Sequence, residues 1–176
     1  MKKNTTFVLL ISCFFFVSCN TATPEKYFDE AVLNTNSLAG FGGDGALRQL
    51  QSPSAKLGNN GEVVAMKRTE ELDQKIKFLE EDLKKIRSLK QTAETKEMLQ
   101  TSLELYELAL PVYKNEYTQL AKSFDEGASK ESIKLQAEAI HDKYAARYDA
   151  VYNKLISIGK VYAEKNAIKV NWNVGA

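Results

Sequence analysis

The chain has 176 residues, of which 44% are hydrophobic and 27% are charged, and its net charge at pH 7 is +1. This composition excludes intrinsic disorder as the main state, and the near-zero charge gives no electrostatic basis for nucleic-acid binding. The chain contains 2 Cys and 1 His, which excludes a disulfide scaffold, a zinc finger and an iron–sulfur protein within one chain.

The N-terminus is predicted to be a lipoprotein signal peptide. Two lysines precede an apolar stretch at residues 7–17, which is too short to span a bilayer as a helix and is typical of a secretory signal. Residues 16–19 read Phe-Val-Ser-Cys, which resembles a bacterial lipobox whose cysteine becomes the acylated N-terminus. Phe16 departs from the usual leucine at this position. Ordinary signal cleavage that leaves a free cysteine is the alternative.

Lipidation at Cys19 predicts a protein attached to a membrane. Cleavage removes residues 1–18, and residues 19–23 form a lipidated tether to the domain. The lipid bilayer is therefore the first expected partner, through the acyl chains on Cys19. Asn20 is not the aspartate that retains enteric lipoproteins in the inner membrane, so we expect the outer membrane, with the domain facing the periplasm or the cell surface.

Residues 24–170 are predicted to form an all-α domain. We expect an elongated antiparallel helical bundle of three long helices plus an interrupted first helix, because apolar residues recur at helical spacing over most of this range. The first helix is expected to start at a Thr23 cap, and its apolar stripe runs to Leu38. The Gly-rich residues 39–61 carry few charges and are expected to form an exposed loop, with a short helix after Asp44.

Pro and Gly residues predict where several elements end or bend. Pro53 is expected to end the short helix, and Asn-Asn-Gly at 59–61 is expected to form a turn. Pro111 interrupts the third helix of the chain, the second of the three long ones, so we expect a kink at residues 107–111. Gly127 is expected to end that helix.

Three apolar stripes predict the long helices. Their members mostly alternate steps of three and four residues, which places them on one helix face. The stripes contain Leu72, Ile76, Leu79, Leu83 and Ile86; then Leu99, Leu103, Tyr106, Leu110, Tyr113, Tyr117, Leu120 and Phe124; then Ile133, Ala137, Ile140, Tyr144, Tyr148, Val151, Leu155, Ile158 and Tyr162. No strand-type alternation of useful length occurs, so no sheet is predicted. Residues 171–176 form a tail in which Trp172 is expected to fold back on the bundle.

Two short motifs are candidates for chemistry. Residues 40–45 match the G-x-G-x-x-G pattern of dinucleotide-binding loops, but no strand or βαβ unit surrounds them, so we interpret them as a flexible loop and predict no cofactor. Glu138 and His141 form a Glu-x-x-His motif of the kind that di-iron bundles use in pairs. Since the chain has a single His, we predict neither a metal site nor a catalytic residue. A metal-binding or enzymatic bundle that uses Glu138 and His141 is the alternative.

Tyrosines are the candidates for partner contacts. Tyr144, Tyr148 and Tyr152 follow one another at steps of four on the last helix. Tyrosine combines an apolar ring with a hydroxyl that needs a partner, so a tyrosine stripe suits a contact surface. A semi-polar core, in which each hydroxyl bonds to a neighbouring polar side chain, is the alternative.

Several of these aromatic segments also carry a resemblance. Leu105-Tyr106, Tyr113 and Asn115-Glu116-Tyr117, followed by Tyr-Ala-Glu-Lys-Asn-Ala-Ile at 162–168, together with the lipobox, resemble a loose family of helical envelope lipoproteins of Gram-negative bacteria. The resemblance implies a helical fold and an envelope location. The family has no assigned activity, so the resemblance implies no functional residue.

These features together predict a membrane-anchored envelope lipoprotein with a non-catalytic binding or structural role. An envelope protein is the expected second partner besides the bilayer, and no nucleic-acid partner is expected. Cys19 is the predicted lipidation site, and the three tyrosines are the predicted partner-binding residues.

Overall fold

The computed structural model describes residues 22–52 and 54–172. The predicted signal peptide, Cys19, Pro53 and the last four residues lie outside this range. Over the described residues the protein is an all-α helical bundle, as predicted, with one small two-stranded sheet.

The helices and strands follow one another as α1, α2, β1, β2 and α3 to α6. Their bounds are α1 Pro24–Ala31, α2 Asp44–Gln51, β1 Ala55–Leu57, β2 Val63–Ala65, α3 Arg68–Ser88, α4 Lys96–Val112, α5 Thr118–Asp125 and α6 Lys130–Lys165. A 3-10 helix spans Leu33–Leu38, and a π-helical segment at Tyr113–Tyr117 joins α4 to α5.

The three long helices of the bundle are α3, the continuous rod at 96–125, and α6. Helix α6 has 36 residues, which makes it about 54 Å long at the rise of an α-helix. It begins where the sequence predicts, because the Ser129 side chain accepts a hydrogen bond from the Ser132 N–H. Thr23 caps α1 in the same way, with Pro24 in the first turn. Most members of the predicted stripes are buried in the core, among them Leu79, Leu99, Tyr106, Tyr113, Leu120 and Leu155.

The rod at 96–125 changes its helical geometry just after Pro111. Pro111 lies within α4, and a π-helical segment follows it at Tyr113–Tyr117. A π-helical turn shifts the hydrogen-bond register and leaves carbonyls in need of donors. Side chains supply these donors: Asn115 Nδ2 donates to the Pro111 carbonyl at 2.8 Å, and Thr118 Oγ1 donates to the Tyr113 carbonyl at 2.9 Å.

The prediction that the chain forms no sheet is wrong. Strands β1 and β2 pair as an antiparallel hairpin, with Leu57 opposite Val63. The turn between them contains the predicted Asn-Asn-Gly, and Gly61 adopts a φ of 78° there. Each strand has only three residues, which is too short for an alternation pattern to show in the sequence.

Helix α3 is capped by a residue from a distant part of the chain. Lys67 occupies the cap position but provides no side-chain cap. Instead Asp125 accepts hydrogen bonds from the backbone N–H groups of Arg68 at 2.8 Å and Thr69 at 3.1 Å. Burial opposes the charge on Asp125, but the hydrogen bonds from Thr69 and Arg68 outweigh it and hold the pKa below its usual value of 3.8.

We expect Asp125→Ala to destabilise the protein by about 1 kcal/mol, because N-cap losses typically cost that much. The depressed pKa means that this contribution is present above pH 3.8 and is lost as the pH falls through the folded-state value. Urea unfolding at pH 7 and at about pH 3 measures both effects. The neighbouring Glu126→Ala variant is the control. Equal stability of the two variants at pH 7 would contradict the capping role.

Candidate functional site

The connection between α1 and α2, residues 33–43, lies across the bundle and is called the strap here. Buried backbone polar groups need hydrogen-bond partners. Some partners are local, since Ser37 Oγ donates to the Asn34 carbonyl and the Phe41 N–H donates to the Leu38 carbonyl. Four side chains from the long helices provide further bonds to the backbone of the strap. Tyr106 Oη donates to the Asn34 carbonyl at 2.9 Å, Tyr148 Oη donates to the Leu38 carbonyl at 3.1 Å, Tyr117 Oη accepts from the Gly42 N–H at 2.9 Å, and His141 Nδ1 donates to the Gly42 carbonyl at 2.6 Å.

The G-x-G-x-x-G motif lies in the strap and the first turn of α2, and close packing accounts for its glycines. A Cβ on Gly40 would lie 2.8 Å from the Gly45 Cα. A Cβ on Gly42 would lie 3.0 Å from the Ala145 Cα of α6. Both Gly40 and Gly42 also have positive φ values, 81° and 70°, which favour glycine. The motif therefore seats the strap against α2 and α6.

An aromatic cluster lies beneath the strap. The Phe41 ring centre is 4.7 Å from that of Tyr148, 5.7 Å from that of Tyr113 and 5.9 Å from that of Tyr117. Tyr113 and Tyr117 stack on each other at 4.9 Å, since the π-helical segment directs both inward. Burial raises the pKa of Tyr106, Tyr113, Tyr117 and Tyr148, so these hydroxyls stay neutral.

The three predicted partner-binding tyrosines have different environments. Tyr148 is 5% exposed and belongs to the aromatic cluster, so it is not accessible to a partner in this structure. Tyr152 is half-buried and stacks on Tyr148 at 5.8 Å. Tyr144 is half-buried and donates a hydrogen bond to Glu116. A contact surface can therefore include Tyr144 and Tyr152. Tyr148 belongs to the core, which was the alternative interpretation of the tyrosine stripe.

A groove lies between α2 and the first half of α6 and is called the α2 groove. Its volume is about 840 Å³, within the range of small-molecule sites. Its lining combines apolar and charged side chains, among them Asp44, Leu47, Phe124, Lys134, Glu138 and His141. Such a surface can receive an amphipathic ligand or segment.

Glu138 and His141, the residues of the alternative metal site, both line the α2 groove. Glu138 pairs with Lys134 at 3.6 Å, and His141 Nδ1 bonds to the Gly42 carbonyl. Because a carbonyl only accepts, Nδ1 carries the proton and the neutral ring has its free nitrogen at Nε2. Among the described residues, no group of three or more His, Cys, Asp and Glu side chains is placed to hold a metal ion.

A second groove of about 510 Å³ lies on the other side of α6, against the π-helical segment and α5. Tyr144 lines it and bonds to Glu116, which also pairs with Lys143 at 3.4 Å. Burial opposes the charge on Glu116, but hydrogen bonds from Tyr144, from its own backbone and from Lys143 lower its pKa overall. Glu116 is therefore ionised at neutral pH and fixes the Tyr144 ring at the edge of this groove.

The described chain starts at the end of the bundle opposite the α2 groove. Tyr27 Oη donates to the Lys90 carbonyl in the α3–α4 connection at 2.6 Å. Phe28 packs edge-on against Trp172, with ring centres 5.9 Å apart, so Trp172 folds back on the bundle as predicted. Gly159 of α6 lies against Val32 and Phe28. His141 lies roughly 27 Å before Gly159 along α6.

The chain matches no family model, no curated protein and no solved structure. Within residues 22–52 and 54–172, no helix is both long enough and apolar enough to cross a bilayer. The strap contacts have no local sequence signal, although the glycine motif, the single His and the predicted Tyr148 are residues that make them.

Proposed function

We propose that this protein is a lipid-anchored envelope lipoprotein with a non-catalytic role, which binds a partner at the half of the bundle that lies away from its membrane. The lipobox at Cys19 supports the anchor, and the likeness of its aromatic segments to helical envelope lipoproteins supports the location. Acyl chains on one cysteine provide firm attachment, since each buried CH₂ contributes about 0.8 kcal/mol. The outer membrane is the proposed location.

The observation that carries the binding role is the position of the α2 groove. The chain enters the bundle at α1, where Tyr27 bonds to the Lys90 carbonyl and Phe28 packs against Trp172, so a tether at 19–23 attaches the membrane to that end. The groove lies at the opposite half of α6. Five tether residues extend at most about 18 Å, so the α1 end of the bundle stays near the bilayer. When the bundle stands upright, the groove at the opposite half of α6 lies farther from the bilayer surface.

We expect Cys19→Ala to abolish acylation and to leave an uncleaved or soluble precursor. Metabolic labelling with a radioactive or clickable fatty acid, combined with membrane fractionation, measures both. Cys13→Ala is the matched control, because Cys13 precedes the cleavage site and its loss leaves labelling unchanged. An unmodified Cys19 thiol in the membrane-bound mature protein, detected by mass spectrometry, would refute the proposal.

A metal-binding or enzymatic role is the second candidate, because Glu138 and His141 both line the same groove and Nε2 of His141 is free to bind a ligand. A metal-ligating His usually donates its other ring N–H to a carbonyl, as His141 does. Metal analysis of the purified protein beside His141→Ala distinguishes the two candidates. Stoichiometric metal that is lost in the variant favours the second one.

A further inference from the structure

A small cavity lies on the other face of α2, between α2, α3 and the π-helical segment. The room for the centre of a water molecule is about 10 Å³, which is close to what a single water molecule needs. Ala46, Gln49 and Leu50 of α2 line it from one side. Asp44, Leu47 and Gln51 of the same helix line the α2 groove, so the cavity lies directly behind one wall of that groove.

Two buried polar atoms that line this cavity have no hydrogen-bond partner among the described residues. They are the Tyr113 hydroxyl and Oε2 of Glu71. Tyr113 is 1% exposed, so its hydroxyl has no access to bulk solvent. Buried polar groups in native proteins are paired in most cases, because an unpaired one costs the desolvation energy of the group.

The third polar group of the cavity is Lys75. Its Nζ donates to Gln49 Oε1 at 3.1 Å and lies 5.1 Å from the centre of the Tyr113 ring. An ammonium group has three N–H donors, so this one bond leaves donors to direct elsewhere. Burial lowers the pKa of Lys75, although the nearby Glu71 carboxylate opposes this shift. A polar molecule in the cavity offsets that loss of solvation.

We propose that this cavity binds one structural water molecule, which donates to Glu71 Oε2 and accepts from the Tyr113 hydroxyl. Water fits because it is both donor and acceptor, and because the room of about 10 Å³ is close to what one water molecule needs. The bound water links α3 to the π-helical segment beneath α2 and so supports the wall of the α2 groove. This inference does not depend on the proposed function.

The sign of a single substitution tests the proposal. If water is bound, Tyr113→Phe removes one of its hydrogen bonds, and the unfolding equilibrium constant rises about three- to tenfold. If the hydroxyl is unpaired, the same substitution relieves a buried polar group and leaves stability unchanged or increased. Ser102→Ala is the control for this second case, because the Ser102 hydroxyl is buried without a partner among the described residues and does not line this cavity.

A direct measurement on the unmodified mature chain complements the variant. Water-selective NMR transfer to the Tyr113 ring protons and to nearby α2 amides is expected to show a water molecule with a residence time longer than that of surface water. The proposal requires both results. A neutral or stabilising Tyr113→Phe, or the lack of a long-lived water signal at Tyr113, would overturn it.

Discussion

Gly42→Ala is expected to destabilise the protein by about 2–5 kcal/mol, because two costs add. An alanine at φ 70° costs about 1–2 kcal/mol in the left-handed region. The new Cβ would also lie 3.0 Å from the Cα of Ala145, which is backbone of a long helix and cannot move aside cheaply, and such overpacking costs about 1–3 kcal/mol. Urea unfolding followed by circular dichroism measures the change.

Gly61→Ala separates these two costs. Gly61 has a φ of 78°, but a Cβ there would meet no atom within 4 Å. This variant therefore has only the first cost, that of an alanine in the left-handed region. The difference between the two variants reports the contact between the strap and α6. Equal losses of stability would show that Gly42 is not packed against Ala145 in solution.

The parts of the fold that follow from short-range sequence patterns could be predicted. Thr23 and Ser129 cap helices within three residues of themselves, and the apolar stripes repeat within one or two turns. The Asp125 cap on α3 could not be predicted, since it joins residues 57 positions apart and Asp125 resembles any exposed acid at a helix end. The hairpin could not be predicted, because strands of three residues are too short to show an alternation of apolar and polar residues. Its turn alone does not imply that the flanking strands pair.

The candidate site depends even more on contacts that are distant in sequence. Tyr148 meets Leu38 across 110 positions, and His141 meets Gly42 across 99 positions. No periodicity encodes which tyrosine hydroxyl will find a strap carbonyl. The sequence does indicate that the tyrosines and glycines are unusual. The tyrosine hydroxyls bond to the backbone of the strap, and the glycines let the strap pack closely. Both roles become visible only when the bundle is assembled.

Helix geometry explains why the predicted tyrosine stripe is not one surface. A step of four residues turns an α-helix about 40° beyond a full turn. Tyr144 and Tyr152 therefore differ by about 80° in direction, with Tyr148 between them. Since Tyr148 points into the core, its neighbours lie at the two borders of the buried face of α6. Tyr144 borders the second groove on one side, so the two accessible tyrosines face different surroundings.

Tyr148→Ala is expected to destabilise the protein by about 3–5 kcal/mol, because it removes a buried aromatic ring and leaves a cavity. It also removes the donor to the Leu38 carbonyl, and the ring contact with Phe41 at 4.7 Å is lost. Tyr148→Phe retains the ring and isolates the hydrogen bond, for which we expect a loss of about 0.5–1.5 kcal/mol, because the Leu38 carbonyl still accepts a hydrogen bond from the Phe41 N–H. Thermal unfolding of both variants beside the unmodified protein measures these effects.

Tyr144→Ala and Tyr152→Ala are the matched variants that keep the fold, since both side chains are half-buried and their loss is expected to cost about 1 kcal/mol. They therefore test whether the accessible tyrosines contact the proposed partner, without unfolding the domain. Crosslinking in intact cells, followed by mass spectrometry, is expected to show a partner whose yield falls in one or both variants while the amount of protein in the membrane stays constant. If both variants retain full crosslinking, the accessible tyrosines do not contact the partner. If both variants unfold as readily as Tyr148→Ala, all three tyrosines belong to the core, and the partner must bind in the α2 groove or elsewhere on the bundle.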